Sequence, residues 1–398
     1  MKESVKKLRV HIIGIHGVPA KYGGFETLAD FLCQYLGEEF LITVYCNSNK
    51  YPEKAKEYFG AKLIYLKLDA SGFKGIIYDF ITYLNALIKA DIILYLSPVS
   101  SGFMTPLKYL TGKKVIVNHG GLNEWEREKL NWVQQKWAKF NHWVAACCAD
   151  ANIADNSLYK KSLKDTFNAN SIVIKYGGDH VQKISVTDEI LSKKYPFVKE
   201  PYAVSVSRAQ LDNNIHLVLE AFEHFNGYKI VVVSNWNVSK YGINLKHKYS
   251  NHPNMILLDA IYDRRELDFI RGNAYVYIHS HSRCGTSPSL VEAMCLKQAI
   301  LSYDVPANSE TTKGEAIFFQ DPHSLQNLLI NTSEVQLNTL KLKLFSIAME
   351  EYTWEAISQQ YKTLINMNRK VRSEFSLPSF LKSKVELALH PGRYVKRD

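Results

Sequence analysis

The chain has no Cys-x-x-Cys pair, no His-rich metal spacing, no tandem repeat and no low-complexity tract. Its six cysteines (Cys33, Cys46, Cys147, Cys148, Cys284 and Cys295) include one adjacent pair. Scattered over 398 residues, they form no disulfide framework and are expected as buried thiols of a reducing compartment. No metal is expected. Long apolar runs are missing as well. The most apolar stretch, 75–96, is broken by Asp79, Asn85, Lys89 and Asp91. It falls short of the roughly 18–20 uninterrupted residues that a membrane-spanning helix needs. The basic start followed by Val10–Ile15 lacks the length and the small-residue cleavage site of a signal peptide. A buried first strand and a soluble, cytoplasmic protein are the expectation.

Acidic residues are in deficit, 39 against 49 lysines and arginines, for a net charge of +10. The last 33 residues, 366–398, hold eight basic and three acidic residues, half of that excess. The same tail carries Phe375, Leu377, Phe380, Leu381, Val385 and Leu389. Basic residues mixed with large apolar ones suit either an anionic membrane surface or a helix docked on the body. No nucleic-acid recognition module accompanies them, so nucleic acid is not an expected partner.

What is present is an alternation of strands and helices. Leu8–Ile15, Leu41–Cys46, Lys62–Leu68, Ile92–Leu96 and Lys114–Asn118 read as strands, and Phe25–Leu36 and Tyr78–Ala90 as helices. The run Asn131–Val144 reads as a helix whose stripe Trp132, Trp137, Phe140 and Trp143 is expected in the core. The pattern resets after 180–200 with a second series from Tyr202 to Tyr303, and Trp354–Met367 reads as a closing helix. This predicts an α/β protein with two doubly wound parallel domains, 1–180 and 181–350, and a crossover helix with a basic tail, 351–398. Ligands are expected in the cleft between the carboxyl ends of the two sheets.

Four stretches at those carboxyl ends carry the chemistry. The first is Gly285-Thr286-Ser287-Pro288-Ser289-Leu290-Val291-Glu292, in which Ser, Thr and Pro open a helix after a strand. The amides and positive dipole end of such a helix bind phosphate, and Glu292, one turn in, is placed to accept from ribose hydroxyls. The second is Tyr22-Gly23-Gly24-Phe25-Glu26-Thr27, where two glycines let the backbone approach a diphosphate or sugar. It is not the dinucleotide fingerprint. Gly14 and Gly17 lack its spacing, and the second strand ends in Cys46-Asn47 without an acid, which argues against an NAD enzyme. The third runs from Asn118 to Arg127, with His119 for a sugar hydroxyl and Glu124, Trp125 and Arg127 for an acceptor. The fourth holds Arg208, in reach of a diphosphate. Taken singly, each also fits an ordinary capped helix, tight turn, structural histidine or surface arginine.

Taken together, Pro-Ala-Lys-Tyr-Gly-Gly-Phe-Glu-Thr at 19–27, Asn213-Asn214-Ile215-His216, the stretch Gly285–Met294 and Tyr352-Thr353-Trp354 resemble the family 4 glycosyltransferases, in particular their bacterial rhamnosyltransferase-type branch. The resemblance implies the GT-B fold, a retaining sugar transfer without metal, and a nucleotide-sugar co-substrate, dTDP- or UDP-linked. It implies that Gly23 and Gly24 face the donor diphosphate and acceptor beside Tyr22. It assigns His119 to the donor sugar, Arg208 and Asn213 to the diphosphate, and Gly285, Thr286 and the Ser289 and Leu290 amides to phosphate. Glu292 falls to the ribose, and Glu26 is an outside candidate for a base. On this basis Glu292→Ala is expected to weaken donor binding with little loss of stability.

The wider family carries a carboxylate where this chain has Cys284 and a lysine where it has Asn213. Close relatives carry an Asp at His119-Gly120. The branch builds capsule, O-antigen or cell-wall polysaccharide on a polyprenyl diphosphate at the cytosolic membrane face. That implies dTDP-rhamnose as the first donor, a lipid-linked saccharide acceptor and peripheral contact with an anionic membrane. A UDP-hexose donor, a sugar-nucleotide epimerase and a non-catalytic basic scaffold are the alternatives.

Overall fold

The computed structural model describes residues 7–369 apart from 22, 69–71, 122 and 127–129. Tyr22, Arg127, the tail from 370 onward and the side chain of Glu124 therefore lie outside the described residues. Two parallel sheets organise the chain. The first contains β1 (Arg9–Ile13), β2 (Leu41–Asn47), β3 (Glu57–Tyr58), β4 (Ala61–Leu66), β5 (Ile92–Leu96), β6 (Lys114–Asn118), β7 (Ala151–Ala154) and β8 (Ile172–Val173). Their order is β3-β4-β2-β1-β5-β6-β7-β8, parallel throughout except for the β3–β4 hairpin. The second contains β9 (Tyr202–Val206), β10 (Lys229–Ser234), β11 (Met255–Asp259), β12 (Val276–His279), β13 (Ile300–Tyr303) and β14 (Ile317–Phe319), in the order β11-β10-β9-β12-β13-β14.

Continuous Val/Ile/Leu runs form the central strands because both of their faces are covered by helices. Ile12 lies in register with Val44 on one side and Leu94 on the other, and all three are buried. Both sheets reverse direction beside their first strand. The loops after β1 and β9 thus open at topological switch points, where ligands bind in such sheets.

Helices α1 (Gly24–Leu36), α2 (Gly72–Lys89), α3 (Trp132–Cys148) and α4 (Ser157–Phe167) belong to the first sheet. The second carries α5 (Glu189–Lys194), α6 (Ile215–Glu223), α7 (Lys240–Tyr249), α8 (Arg264–Gly272), α9 (Pro288–Cys295), α10 (Pro306–Thr311), α11 (Pro322–Asn331) and α12 (Glu334–Glu351). The last helix, α13 (Trp354–Arg369), crosses back onto the first domain. There Trp354 stacks on Phe31 with ring centroids 4.5 Å apart, and Ile357, Tyr361, Leu364 and Ile365 join the core beneath α1. The opposite face of that sheet is covered by α2, the 3₁₀ segment Gly102–Leu110 and α3. The aromatic stripe of α3 departs from its expected place. Trp132, Trp137 and Phe140 are exposed to 70%, 40% and 44%, and Trp143 is half-buried, while Ala138, Asn141, His142 and Ala145 face the sheet.

Candidate active site

A cavity of about 730 Å³ lies between the carboxyl ends of the two sheets, within the range of small-molecule sites. On the first domain its wall begins with the turn after β1. Gly14 sits at φ +85°, where a Cβ would lie 1.9 Å from the Leu96 carbonyl oxygen, so only glycine closes this turn. The loop then enters α1 at Gly23 and Gly24. Two acids of α1 hold it: the His16 amide donates to Glu26 Oε1 (3.0 Å) and the Ala20 amide to Asp30 Oδ2 (2.7 Å). The Tyr176 hydroxyl donates to the Gly24 carbonyl. Gly23, Gly24, Phe25 and Glu26 all line the cavity.

The second domain contributes the loops after β9 and β12. Arg208 is exposed on the cavity wall. Asn213 lines the same wall, and its amide donates to the Arg208 carbonyl (2.7 Å), so its side chain shapes the loop that carries the arginine. Gly285 and Thr286 lead into α9, whose first two residues are Pro288 and Ser289.

Across the cleft, Asp155 at the end of β7 reaches this helix start. The Thr286 amide donates to Asp155 Oδ2 (3.1 Å) and the Thr286 hydroxyl to the Asp155 carbonyl (2.7 Å). A Cβ at Gly285 would fall 2.0 Å from the same carboxylate, so glycine is required here for close approach. An anionic group therefore sits where a helix start would hold a phosphate. Further contacts hold the two domains together: Ser157 donates its amide and hydroxyl to Glu310 (both 2.7 Å), and Arg283 donates to the Glu126 carbonyl (3.1 Å).

The cavity thus brings together Gly23, Gly24, Glu26, Arg208, Asn213, Gly285, Thr286 and Ser289. Four expectations require correction. The His119 ring is fully buried, with Nε2 2.9 Å from Asn152 Oδ1 and Nδ1 3.1 Å from His142 Nδ1. Burial drops its pKa to about 4, so the ring is a neutral imidazole turned away from the cavity. Trp125 is 3% exposed and packs against His142, Tyr159 and Phe167, which leaves it no face for an acceptor. The Leu290 amide already donates to the Ser287 carbonyl (3.1 Å).

Glu292 does not line the cavity. It pairs with Arg271, itself held by Asp268 (2.7 Å), and with His180 Nε2 (3.2 Å). Burial would raise the Glu292 pKa, but the Arg271 charge and the His180 contact outweigh it and hold the carboxyl at about 2.

Asp155, Tyr262, Asn235 and Arg283 are cavity residues that the sequence argument did not single out. Each follows a strand, as Arg208 does, so their position at a carboxyl end was the available signal. Tyr262 is 79% exposed and offers an aromatic face at the mouth of the second domain.

Residues 7–179 match a domain of unknown function (DUF1972), and residues 187–330 match the glycosyl transferases group 1. No curated protein matches the chain. Solved structures share the fold at low identity. A sucrose-phosphate synthase from Thermosynechococcus elongatus is 14% identical with a TM-score of 0.75, covering 91% of this chain and 99% of its own. HepE from Anabaena in complex with UDP-glucose is 12% identical with a TM-score of 0.70, covering 90% and 100%. A glycosyltransferase from Rickettsia africae is 13% identical with a TM-score of 0.68, covering 92% and 100%. With its group 1 domain at 187–330 and two Rossmann-like sheets facing across a cleft, the chain is a glycosyltransferase of the GT-B fold.

Proposed function

We propose that the protein transfers a deoxyhexose, with dTDP-rhamnose as first donor, to a lipid-linked saccharide with retention of configuration. The observation that carries this reading is the meeting of Gly23–Gly24, Arg208 and the α9 start in one cavity without a sugar-binding carboxylate at position 284. The nucleoside would lie against the second domain, near Tyr262 and Asn235, and the diphosphate between Arg208 and the start of α9, beyond the Thr286 amide that Asp155 holds. An arginine fork and helix-start amides stabilise a diphosphate as it gains charge, without reorganisation and without a metal. As the bond from the anomeric carbon to the phosphate oxygen breaks, the acceptor oxygen bonds to that carbon on the same face. Its proton passes to the departing phosphate.

Cys284 bears on the sugar. A thiol is a weak hydrogen-bonding group, which supports a donor with fewer hydroxyls to satisfy than a hexose. The HepE complex is described with UDP-glucose, so a UDP-hexose is the second donor to test. A lipid-linked acceptor implies work at the cytosolic membrane surface. The test incubates the full chain with dTDP-rhamnose, UDP-glucose and related donors, with and without a polyprenyl-diphosphate saccharide, and measures free nucleotide. Acceptor-dependent dTDP release is expected. Release only from a UDP-hexose would overturn the rhamnose assignment, and an isomerised donor without release would overturn transfer.

A further inference from the structure

The cover on one side of the first sheet is apolar on both of its faces. The core beneath it takes Tyr78, Tyr83, Ala86 and Leu87 from α2, Met104 from the 3₁₀ segment and Ala145 from α3. A helix on a sheet normally turns polar residues outward. Here α2 turns out Ile77, Phe80, Ile81, Leu84 and Ile88, with exposures from 37% to 74%. These positions stand at i, i+3, i+4, i+7 and i+11 and form a continuous stripe. Helix α3 turns out Trp132 (70%), Val133 (64%), Trp137 and Phe140. The rings of Phe103, Trp137, Phe140 and Trp143 follow one another with centroids 5.6 to 6.0 Å apart. Trp137 is anchored by its indole N–H, which donates to the Ser100 carbonyl (3.1 Å). Leu110, at the end of the 3₁₀ segment, is 74% exposed.

Among the described residues, ten of the 25 large exposed apolar side chains fall on these three segments, which together span only 44 residues. Single exposed apolar residues are ordinary; a cluster of this density marks a contact surface. Charge decides which kind. The three segments contain one acid, Asp79, and it is buried behind Ser100 and Ser101 with its carboxyl pushed up to about 6. Lys89, Lys136 and Lys139 are exposed within the patch. Tryptophan, phenylalanine and isoleucine interspersed with lysine, and with no exposed acid, are complementary to the headgroup region of an anionic bilayer.

Position agrees. Helix α2 follows β4 and α3 follows the loop after β6, so both begin at the carboxyl-end rim that bounds the cleft. We propose that the outer face of α2, the Gly102–Leu110 segment and α3 lies on an anionic phospholipid surface. This holds the cleft mouth beside the membrane, where a lipid-linked acceptor keeps its chain in the bilayer. The purpose rests on the acceptor class proposed above, but the contact can be tested without it.

The full chain is sedimented with phosphatidylcholine vesicles, with and without phosphatidylglycerol, at low and high salt. Binding to the anionic vesicles, weakened by salt and accompanied by a blue shift of tryptophan emission, is expected. Lys136→Glu with Lys139→Glu should lower that binding by about tenfold or more, since each lysine near such a surface contributes on the order of 1 kcal/mol. Trp132→Ser with Val133→Ser should lower it comparably. Both pairs are exposed, so melting temperature and donor-dependent nucleotide release should stay as in the parent chain. Loss of binding only when the basic residues of 370–398 are neutralised would assign the contact to the tail and overturn the proposal. So would a dimer in solution that the Trp132 and Val133 substitutions dissociate. No vesicle binding with donor turnover intact would remove the membrane surface and leave the transfer reaction standing. Vesicle binding with no turnover of any donor would do the reverse.

Discussion

Replacing Glu292 with alanine separates a ligand role from a structural one. The carboxylate is 17% exposed and Arg271 only 4%, so the substitution leaves a guanidinium buried with Asp268 as its remaining partner. Removing one member of a buried ion pair costs about 3–5 kcal/mol, because the surviving charge keeps its desolvation penalty. The pKa gives an independent figure: a drop from 4.5 to about 2 corresponds to roughly 3 kcal/mol of preference for the charged form in the folded state. The sign follows from the depressed value. This contribution is complete above 4.5 and is lost as pH falls toward about 2. Thermal unfolding near neutral pH should therefore show Glu292→Ala melting on the order of 10 °C below the parent. Glu292→Gln, which keeps hydrogen bonding to Arg271 and His180, should recover part of that loss. Nucleotide binding measured well below both transitions should change little. An unchanged melting temperature with a large loss of nucleotide binding would refute this argument and return Glu292 to the ribose.

Arg208→Ala should weaken binding of dTDP or UDP by about ten- to a hundredfold, the range for hydrogen bonds to charged groups, with little change in melting temperature; calorimetry decides. Asp155→Asn removes a negative charge from the α9 start, so nucleoside diphosphate should bind about fivefold more tightly, and weaker binding would show that the carboxylate helps build the site. Burial lowers the pKa of His11 and His119 to about 4, and holds those of His142 and His279 well below the ordinary imidazole value. Depressed values mean that stability is full above 6.5 and falls with acid. At about pH 5.5 His11 and His119 each cost about 1.4 kcal/mol, or roughly 3 kcal/mol for the two, and His142 and His279 add to the loss in the same direction. Urea midpoints near pH 7.5 and 5.5 would agree only if these side chains were accessible.

The two-sheet layout was legible because central parallel strands are short apolar runs rich in Val, Ile and Leu. Val10–Ile13, Ile92–Leu96 and Tyr202–Val206 all form where the pattern places them. The cleft glycines stood out for a related reason: paired glycines after a strand let the backbone approach a ligand, although a tight turn uses them as well. The signal for α12 is also present, since it buries Leu337, Leu340, Leu344 and Ile347 at helical spacing. Partners distant in sequence leave no such trace. Glu292 looks like a ligand because it lies one turn into a helix that starts at the cleft, but its environment is set by Arg271 from α8 and by His180. His119 looks like a cleft histidine because it ends a strand, but its orientation is fixed by Asn152 and His142, 33 and 23 residues away. In both cases spacing along the chain locates the backbone, and packing alone decides what the side chain meets.

Helix α3 shows why periodicity can point the wrong way. Its tryptophans and phenylalanine recur at helical spacing, and the ordinary inference places such a stripe in the core. The inward side is instead made of Ala138, Asn141, His142, Ala145 and Ala146. Small residues let the helix approach the sheet and the 3₁₀ segment closely, and the Asn141 Oδ1 accepts from the Phe103 amide (2.9 Å). Large rings would hold the helix off, so they face outward, where an isolated chain has only water to offer them. A sequence that spends Trp132, Trp137 and Phe140 on that side, with lysines between them and no acid, is written for a second apolar environment. The apolar stripe of α2 faces outward on the same cover, and it does so without an exposed acid of its own.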